Sequence, residues 1–183
     1  MDGAGPAMRV APPIPMPGRV VRTPRLTLVP PDKENLPDLI RLKGDTRVFE
    51  LMLHGTRTPE RTRDELEDDI EFWRVRGYGT WCVFETETGE FLGIAGLMER
   101  PDGRGVAMRF ALWPECRGKG YAREAAKAGL EFGHRAGLAR IIGVAWSENV
   151  ASRLVLQDIG MTECDEFLYR GRRMMVYESL RKA

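Results

Sequence analysis

The sequence predicts a single α/β domain, a mixed and mostly antiparallel central sheet flanked by helices. Three observations carry that expectation. Strand candidates follow one another at 80–86, 90–98 and 105–112, with the turn signals Thr88-Gly89 and Asp102-Gly103 between them. A helix follows at about 120–136, where Ala122, Ala125, Ala126, Gly129, Leu130 and Gly133 recur at helical spacing. Arg140 to Trp146 then reads as a buried strand through Ile141, Ile142 and Val144.

Residues 1–18 carry Pro6, Pro12, Pro13, Pro15 and Pro17 among small residues. Proline fixes φ and removes a backbone donor, so this stretch is expected to be a flexible tail or extended arm, with the domain spanning 19–183. Arg25 to Val29 alternates polar and apolar residues, as a half-buried strand would. Asp32 can cap a helix that turns Leu36, Leu39 and Ile40 inward and stops at Gly44. Thr58-Pro59 opens a second helix, with a capping hydroxyl followed by proline at the first helical position. That helix buries Leu66, Ile70 and Trp73 and is acidic on its other face over 64–71. After the three strands, the small stripe of the 120–136 helix lets it sit close on a sheet, and Gly137 ends it. Asn149 starts a short helix ending at Gly160, and strands 163–170 and 173–180 turn at Gly171. The expected order is β-α-α-β-β-β-α-β-α-β-β.

At 183 residues the chain suits one domain with a sizeable core. A formal net charge of +1 gives no reason to expect nucleic acid as a partner. No apolar run is long enough to span a bilayer, and no charged-then-apolar leader opens the chain. Cys82, Cys116 and Cys164 are widely spaced and fit neither a metal site nor a disulfide framework. They read as reduced thiols of a cytoplasmic protein without a metal.

The segment that carries chemistry is Trp113-Pro114-Glu115-Cys116-Arg117-Gly118-Lys119-Gly120-Tyr121-Ala122, between a strand and a helix. The first turn of a helix has N–H groups without internal partners, and the helix dipole adds partial positive charge there. Gly118 and Gly120 let phosphate oxygens approach, Ala122 keeps the first turn slim, and Arg117 and Lys119 add cations. The junction is suited to a diphosphate. It is not a Walker A loop, because Gly118-Lys119 is followed by Gly120 and Trp113 stands where the first glycine belongs. A dinucleotide fingerprint has a different spacing. A plain glycine-rich turn with a solvated basic pair is the bland alternative.

Beyond the loop, residues from about 20 to 181 resemble the GNAT N-acetyltransferase superfamily, in its RimJ/RimL-like branch. Arg117, Gly120 and Ala122 match that family's Arg/Gln-x-x-Gly-x-Gly/Ala pyrophosphate motif. Thr23-Pro24-Arg25-Leu26-Thr27-Leu28, Gly79-Thr80-Trp81-Cys82-Val83 and Gly93-Ile94-Ala95-Gly96-Leu97 look like the branch's opening strands. Glu115 through Ala126 is similar to its Pro-Glu-x-x-Gly-Lys-Gly-Tyr-Ala-x-Glu-Ala run, and Asn149 to Arg153 and Ile159-Gly160-Met161 to its later elements. The resemblance implies a GNAT fold in which the strands before and after the loop helix splay apart and admit acetyl-CoA. The cofactor would then touch Phe110, Ala111, Leu112, Arg117, Gly118, Lys119, Gly120, Tyr121, Ala122, Asn149 and Ser152, with the thioester near Phe110, Ala111 and Leu112. It also implies direct transfer of acetyl to a primary amine, either a small molecule or a protein N-terminus.

Acid–base groups are fewer than the family pattern supplies. Ser152 is the candidate donor to the departing sulfur, because the tyrosine expected seven residues after Asn149 is Leu156. Glu99, at the end of strand 90–98, is the candidate base, since the usual carboxylate of the next strand is replaced across Val106, Ala107 and Met108. His54 could line the acceptor side, Cys116 abuts the loop, and the acidic helix could draw in a cationic amine. These gaps keep a second reading open, an acyl-CoA-binding sensor or scaffold without turnover. A homodimer is compatible with either reading.

Overall fold

The computed structural model describes residues 18–183; the expected tail lies outside them except for Gly18. One eight-stranded sheet has the order β1-β2-β3-β4-β5-β6-β8-β7. Its strands are β1 (Val21–Arg22), β2 (Leu26–Val29), β3 (Thr80–Glu85), β4 (Phe91–Glu99), β5 (Val106–Leu112), β6 (Arg140–Trp146), β7 (Thr162–Tyr169) and β8 (Arg172–Leu180). The helices are α1 (Leu36–Gly44), α2 (Thr46–Phe49), α3 (Pro59–Arg76), α4 (Tyr121–Arg135) and α5 (Val150–Asp158). The expected order holds, with two additions. A two-residue strand, β1, pairs Val21 with Leu28 ahead of the predicted first strand. One turn of helix, α2, is capped by Asp45, whose side chain accepts from the Arg47 N–H. Both are too short to leave a periodic signal.

Local chemistry accounts for most boundaries. The Thr58 hydroxyl accepts from the Arg61 N–H at the start of α3, Pro59 takes the first position, and Gly77 ends the helix at φ 76°. Asp32 caps a single 3-10 turn, Lys33–Asn35, and α1 proper begins at Leu36. Strand pairing is antiparallel everywhere except β5 with β6, which run parallel.

The two faces of the sheet carry different layers. On one, α4 packs close over Trp81, Ala95, Leu97, Met108 and Ile141. Its small residues are required there: a Cβ on Gly133 would lie 2.6 Å from Leu97 Cδ1 and 2.7 Å from Ile141 Cδ1. On the other face, α1, α2 and α3 cover Cys82, Ile94 and Ala111 with Leu39, Leu42, Phe49 and Leu66.

That second layer also holds buried charge. Lys43 is 1% exposed. Its ammonium donates to Glu65 at 2.8 Å, and Arg57 reaches the other Glu65 oxygen at 2.9 Å. The acidic face expected over 64–71 is therefore divided: Glu65 turns inward as the partner of Lys43, Arg57 and Arg61, while Asp64, Glu67 and Asp68 stay exposed. Burial alone would raise the Glu65 carboxyl, but Lys43 and Arg57 outweigh it and hold it at about 2.

Removing one member of such a pair strands the other. Glu65→Gln is expected to cost about 3 kcal/mol, and Lys43→Met less, since Glu65 keeps Arg57 and Arg61. Thermal denaturation checks the order; equal losses would contradict it. Because the folded carboxyl lies below its ordinary 4.5, its contribution is complete above that pH and fades as pH falls toward about 2. Glu65→Gln should remove that part of the acid dependence.

Candidate functional site

The parallel pair β5–β6 is short. Ala107 faces Ile142 and Met108 faces Gly143, and the register ends there. Past that point β5 stays on β4 as far as Leu112 opposite Gly93, and β6 stays on β8 as far as Trp146 opposite Met174. The inner edges of 109–112 and 144–146 therefore diverge and have no strand partner on that side, which makes a V with Met108 and Gly143 at its apex. Phe110 and Leu112 turn their side chains to the α4 layer and Ala111 to the α1–α3 layer.

The glycine loop lies beyond the open end of the V. Gly118 and Gly120 both have φ 77°, a conformation in which other residues are strained. Gly120 is the N-cap of α4 and offers no side-chain cap. The first helical bond runs from the Glu124 N–H to the Gly120 carbonyl, so the N–H groups of Tyr121, Ala122 and Arg123 have no partner within the helix. Arg117 and Lys119 are exposed beside them.

Sequence reasoning missed what holds this loop. Glu124, in the first turn of α4, accepts from the Thr23 hydroxyl at 2.6 Å, the Arg25 N–H at 2.8 Å and Arg25 Nε at 2.7 Å. Arg25 also donates from Nη1 to the Lys119 carbonyl at 2.7 Å and lies over the Tyr121 ring at 4.4 Å. The Tyr121 hydroxyl donates to Glu85 at 2.7 Å. The β1–β2 turn is thus clamped to the helix start, and Arg25 brings a further cation there. The Thr23 and Arg25 contacts span about a hundred residues of sequence, so no local pattern announces them.

The other candidates fall in different places. The Asn149 side chain caps α5 by accepting from the Ser152 N–H at 3.2 Å, and Ser152 is half-buried beside it after β6. Leu156 is 2% exposed and lies against Gly143 at the apex, so the position where the family carries a tyrosine is apolar core. Glu99 is exposed and paired with Arg76 at 3.0 Å. It stands opposite Val106, three residues before Arg109 and roughly 10 Å from the V at strand rise. The structure does not bring Glu99 to the V. His54 is exposed in a loop at φ 71°. Cys116 is buried, and burial raises its thiol more than Lys119 lowers it.

An open cleft of about 650 Å³ shares Cys116, Lys119 and Tyr121 with the loop. Its remaining wall includes Glu85, Glu90 and Leu92, on the β4 side of β5, so it is separate from the V. Among the described residues no His, Cys, Asp and Glu grouping is arranged to hold a metal ion, and no helix is long and apolar enough to cross a membrane.

A model of the acetyltransferase (GNAT) domain family matches residues 25–162. Among curated proteins, the chain is similar to the FsC-acetyl coenzyme A-N(2)-transacetylase of Aspergillus fumigatus. The two are 30% identical over 162 residues, 80% of this chain and 66% of the relative, so the chain spans just under two thirds of that protein's length. Among solved structures, it is similar to an acetyltransferase from Agrobacterium tumefaciens str. C58 (TM-score 0.75, 24% identity, 97% of this chain and 99% of that one). It is also similar to a GNAT-family acetyltransferase from Bacillus anthracis (TM-score 0.75, 22% identity, 88% and 98%). A third is RimL, a ribosomal L7/L12 alpha-N-protein acetyltransferase in complex with coenzyme A (TM-score 0.73, 19% identity, 88% and 97%). At these identities the structures show a common fold.

The clamp generates a prediction of its own. Glu124→Gln weakens three hydrogen bonds to a carboxylate that is 16% exposed, and is expected to cost about 2 kcal/mol. For a domain of this size that lowers the melting temperature by roughly 4–8 °C. An unchanged melting temperature would mean the β1–β2 turn is held by other contacts.

Proposed function

The chain belongs to the acetyltransferase (GNAT) domain family, and on that premise we propose that it moves an acetyl group from acetyl-CoA to a primary amine. The observation that carries this reading is the V between β5 and β6 with the glycine loop beyond its open end. Two glycines at φ 77°, a helix start with unfilled N–H groups, and Arg117, Lys119 and Arg25 suit a pyrophosphate. The unpaired edges of 109–112 and 144–146 suit an amide-bearing arm lying along Phe110, Ala111 and Leu112. Asn149 and Ser152, beyond the end of β6, complete the cofactor set, with Gly118, Gly120, Tyr121 and Ala122 in the loop.

Acetyl-CoA supplies the thioester carbonyl. The amine nitrogen bonds to that carbon as the carbon–sulfur bond breaks, the amine gives up a proton, and the thiolate leaves and is protonated. The protein's contribution is chiefly alignment, which can supply a large share of the rate without a covalent enzyme intermediate. Ser152, capped into α5 beside Asn149, is the hydroxyl candidate for the sulfur. With Glu99 paired to Arg76 away from the V, proton removal by water after alignment is the better-supported account. Cys82 and Cys116 are buried and all three cysteines are free, which suits a reducing, cytoplasmic setting.

Leu156 at the apex favours one alternative, a protein that binds acyl-CoA without turnover. Thiol release from acetyl-CoA with a panel of amines separates the two readings. No release with any amine, in a protein that binds acetyl-CoA, leaves the binder.

Two variants test the assignment. Gly120→Asp sets a carboxylate at the pyrophosphate position and should weaken acetyl-CoA at least tenfold, about 1.4 kcal/mol, by calorimetry. Unchanged affinity in a folded variant would move the cofactor elsewhere. Glu99→Gln should keep kcat within about threefold, whereas loss of an obligatory general base costs roughly a hundredfold or more. A drop of that size, with loss of the acidic limb of the pH profile, would restore Glu99 as the base.

A further inference from the structure

Three buried side-chain polar atoms have no hydrogen-bond partner among the described residues: Thr80 Oγ1, Arg109 Nε and Arg109 Nη2. They belong to one row across the sheet. Thr80 on β3 faces Gly96 on β4, and Gly96 faces Arg109 on β5. Alternation puts both side chains on the face covered by α1–α3, with Cys82, Ile94 and Ala111. Gly96 carries no side chain between them. Arg109 is also the first residue of β5 beyond the last parallel pair, at the apex of the V.

The identity of the orphaned atoms matters. Nε–H and Nη2–H form the planar two-pronged edge of a guanidinium, the edge that matches the two oxygens of a carboxylate. Arg109 Nη1 has only the Met98 sulfur, at 3.8 Å. The nearby carboxylates do not fill the fork. Glu65 is taken by Lys43, Arg57 and Arg61. Asp69, on α3, is close enough to feel the charges of Arg109 and Lys43 but makes no hydrogen bond to either; burial raises its carboxyl. Lys43, Arg57 and Arg109 therefore outnumber Glu65 and Asp69 as charges. A buried excess cation is costly unless something anionic completes it. Beyond β5 on this face Ala107, Ile142 and Val176 are buried with Val144 and Phe167 packed against them, so the floor there is closed. The approach to the row is through the V, where Arg109 is the first residue of β5 without a β6 partner.

We propose that Arg109 and Thr80 bind the carboxylate of the acetyl acceptor, and hence that the acceptor is a small amine carrying a carboxylate a few bonds from its nitrogen. The inference rests on the acetyl-transfer reading and names that reading's substrate class. Arg109 takes the carboxylate side-on and Thr80 donates to it. The Asp69 carboxylate faces the amine end. Acetyl transfer then occurs within one or two residues of Arg109 along β5, at the V.

The test is a matched panel: alanine, β-alanine and 4-aminobutyrate against alaninamide, β-alaninamide and butylamine, followed by thiol release from acetyl-CoA. At least a tenfold preference in kcat/KM for the carboxylates is expected, mostly in KM. It should vanish in Arg109→Met and in Arg109→Lys, which keeps the charge and loses the two-pronged edge. Arg109→Lys keeps a positive charge beside Asp69, so it should stay folded and bind acetyl-CoA as the wild type does while losing the carboxylate preference. A carboxylate preference kept in full by folded Arg109→Lys would overturn the proposal. Equal turnover of amides and acids also overturns it and leaves acetyl transfer standing. If no amine is turned over although acetyl-CoA binds, acetyl transfer itself falls. A melting shift with CoA and the carboxylates, present in the wild type and absent in Arg109→Met, then still supports the anion site; no shift overturns that too.

Discussion

The architecture depends on a division between two strands. β5 and β6 share only the pairs Ala107–Ile142 and Met108–Gly143 before each follows a different neighbour, β4 on one side and β8 on the other. A continuous parallel ladder would have satisfied those inner edges with each other. Ending it early leaves backbone groups at the centre of the sheet that can be satisfied by something other than protein. The close seating of α4 holds the division in place. With Gly133 against Leu97 and Ile141, the helix bears on strands from both halves, and its N-terminus is fixed beyond the open end of the V.

The two faces treat polarity in opposite ways. Under α4 the core is apolar and close-packed, which positions the helix accurately. Under α1–α3 the core holds Lys43, Arg57, Glu65, Asp69 and Arg109. Burial pushes the Lys43 ammonium below its ordinary value, and Arg109 pushes it the same way, while Asp69 and Glu65 resist. A purely apolar layer would hold the helices at least as well. Charge kept there, with a guanidinium edge left open, is more readily understood as recognition than as stability.

The acid–base picture follows from the same geometry. The position opposite Gly143 is Leu156, and Glu99 is engaged by Arg76 at the surface. Neither of these two side chains brings a proton donor or acceptor to the V. On the acetyl-transfer reading, the rate comes from holding two reactants in register, and the Glu124 clamp fixes the loop end of the site.

Much of this was legible in the sequence because its causes are local. Thr58-Pro59 and Gly77 bound α3, the small stripe from Ala122 to Gly133 marks a close-packed helix, and Gly118 with Gly120 marks a helix start without a side-chain cap. Each signal needs only neighbours within a turn or two. The β1 strand and the single turn of α2 escaped because two or four residues show no period. What only the tertiary structure decided depends on residues far apart in the chain: Arg25 and Glu124 meeting at the loop, Glu65 turning inward to Lys43, Thr80 and Arg109 aligned across Gly96, and Glu99 held away from the V. Whether a charged side chain is solvated, paired or left open for a ligand is set by what the fold packs against it, and one residue's identity carries no record of that.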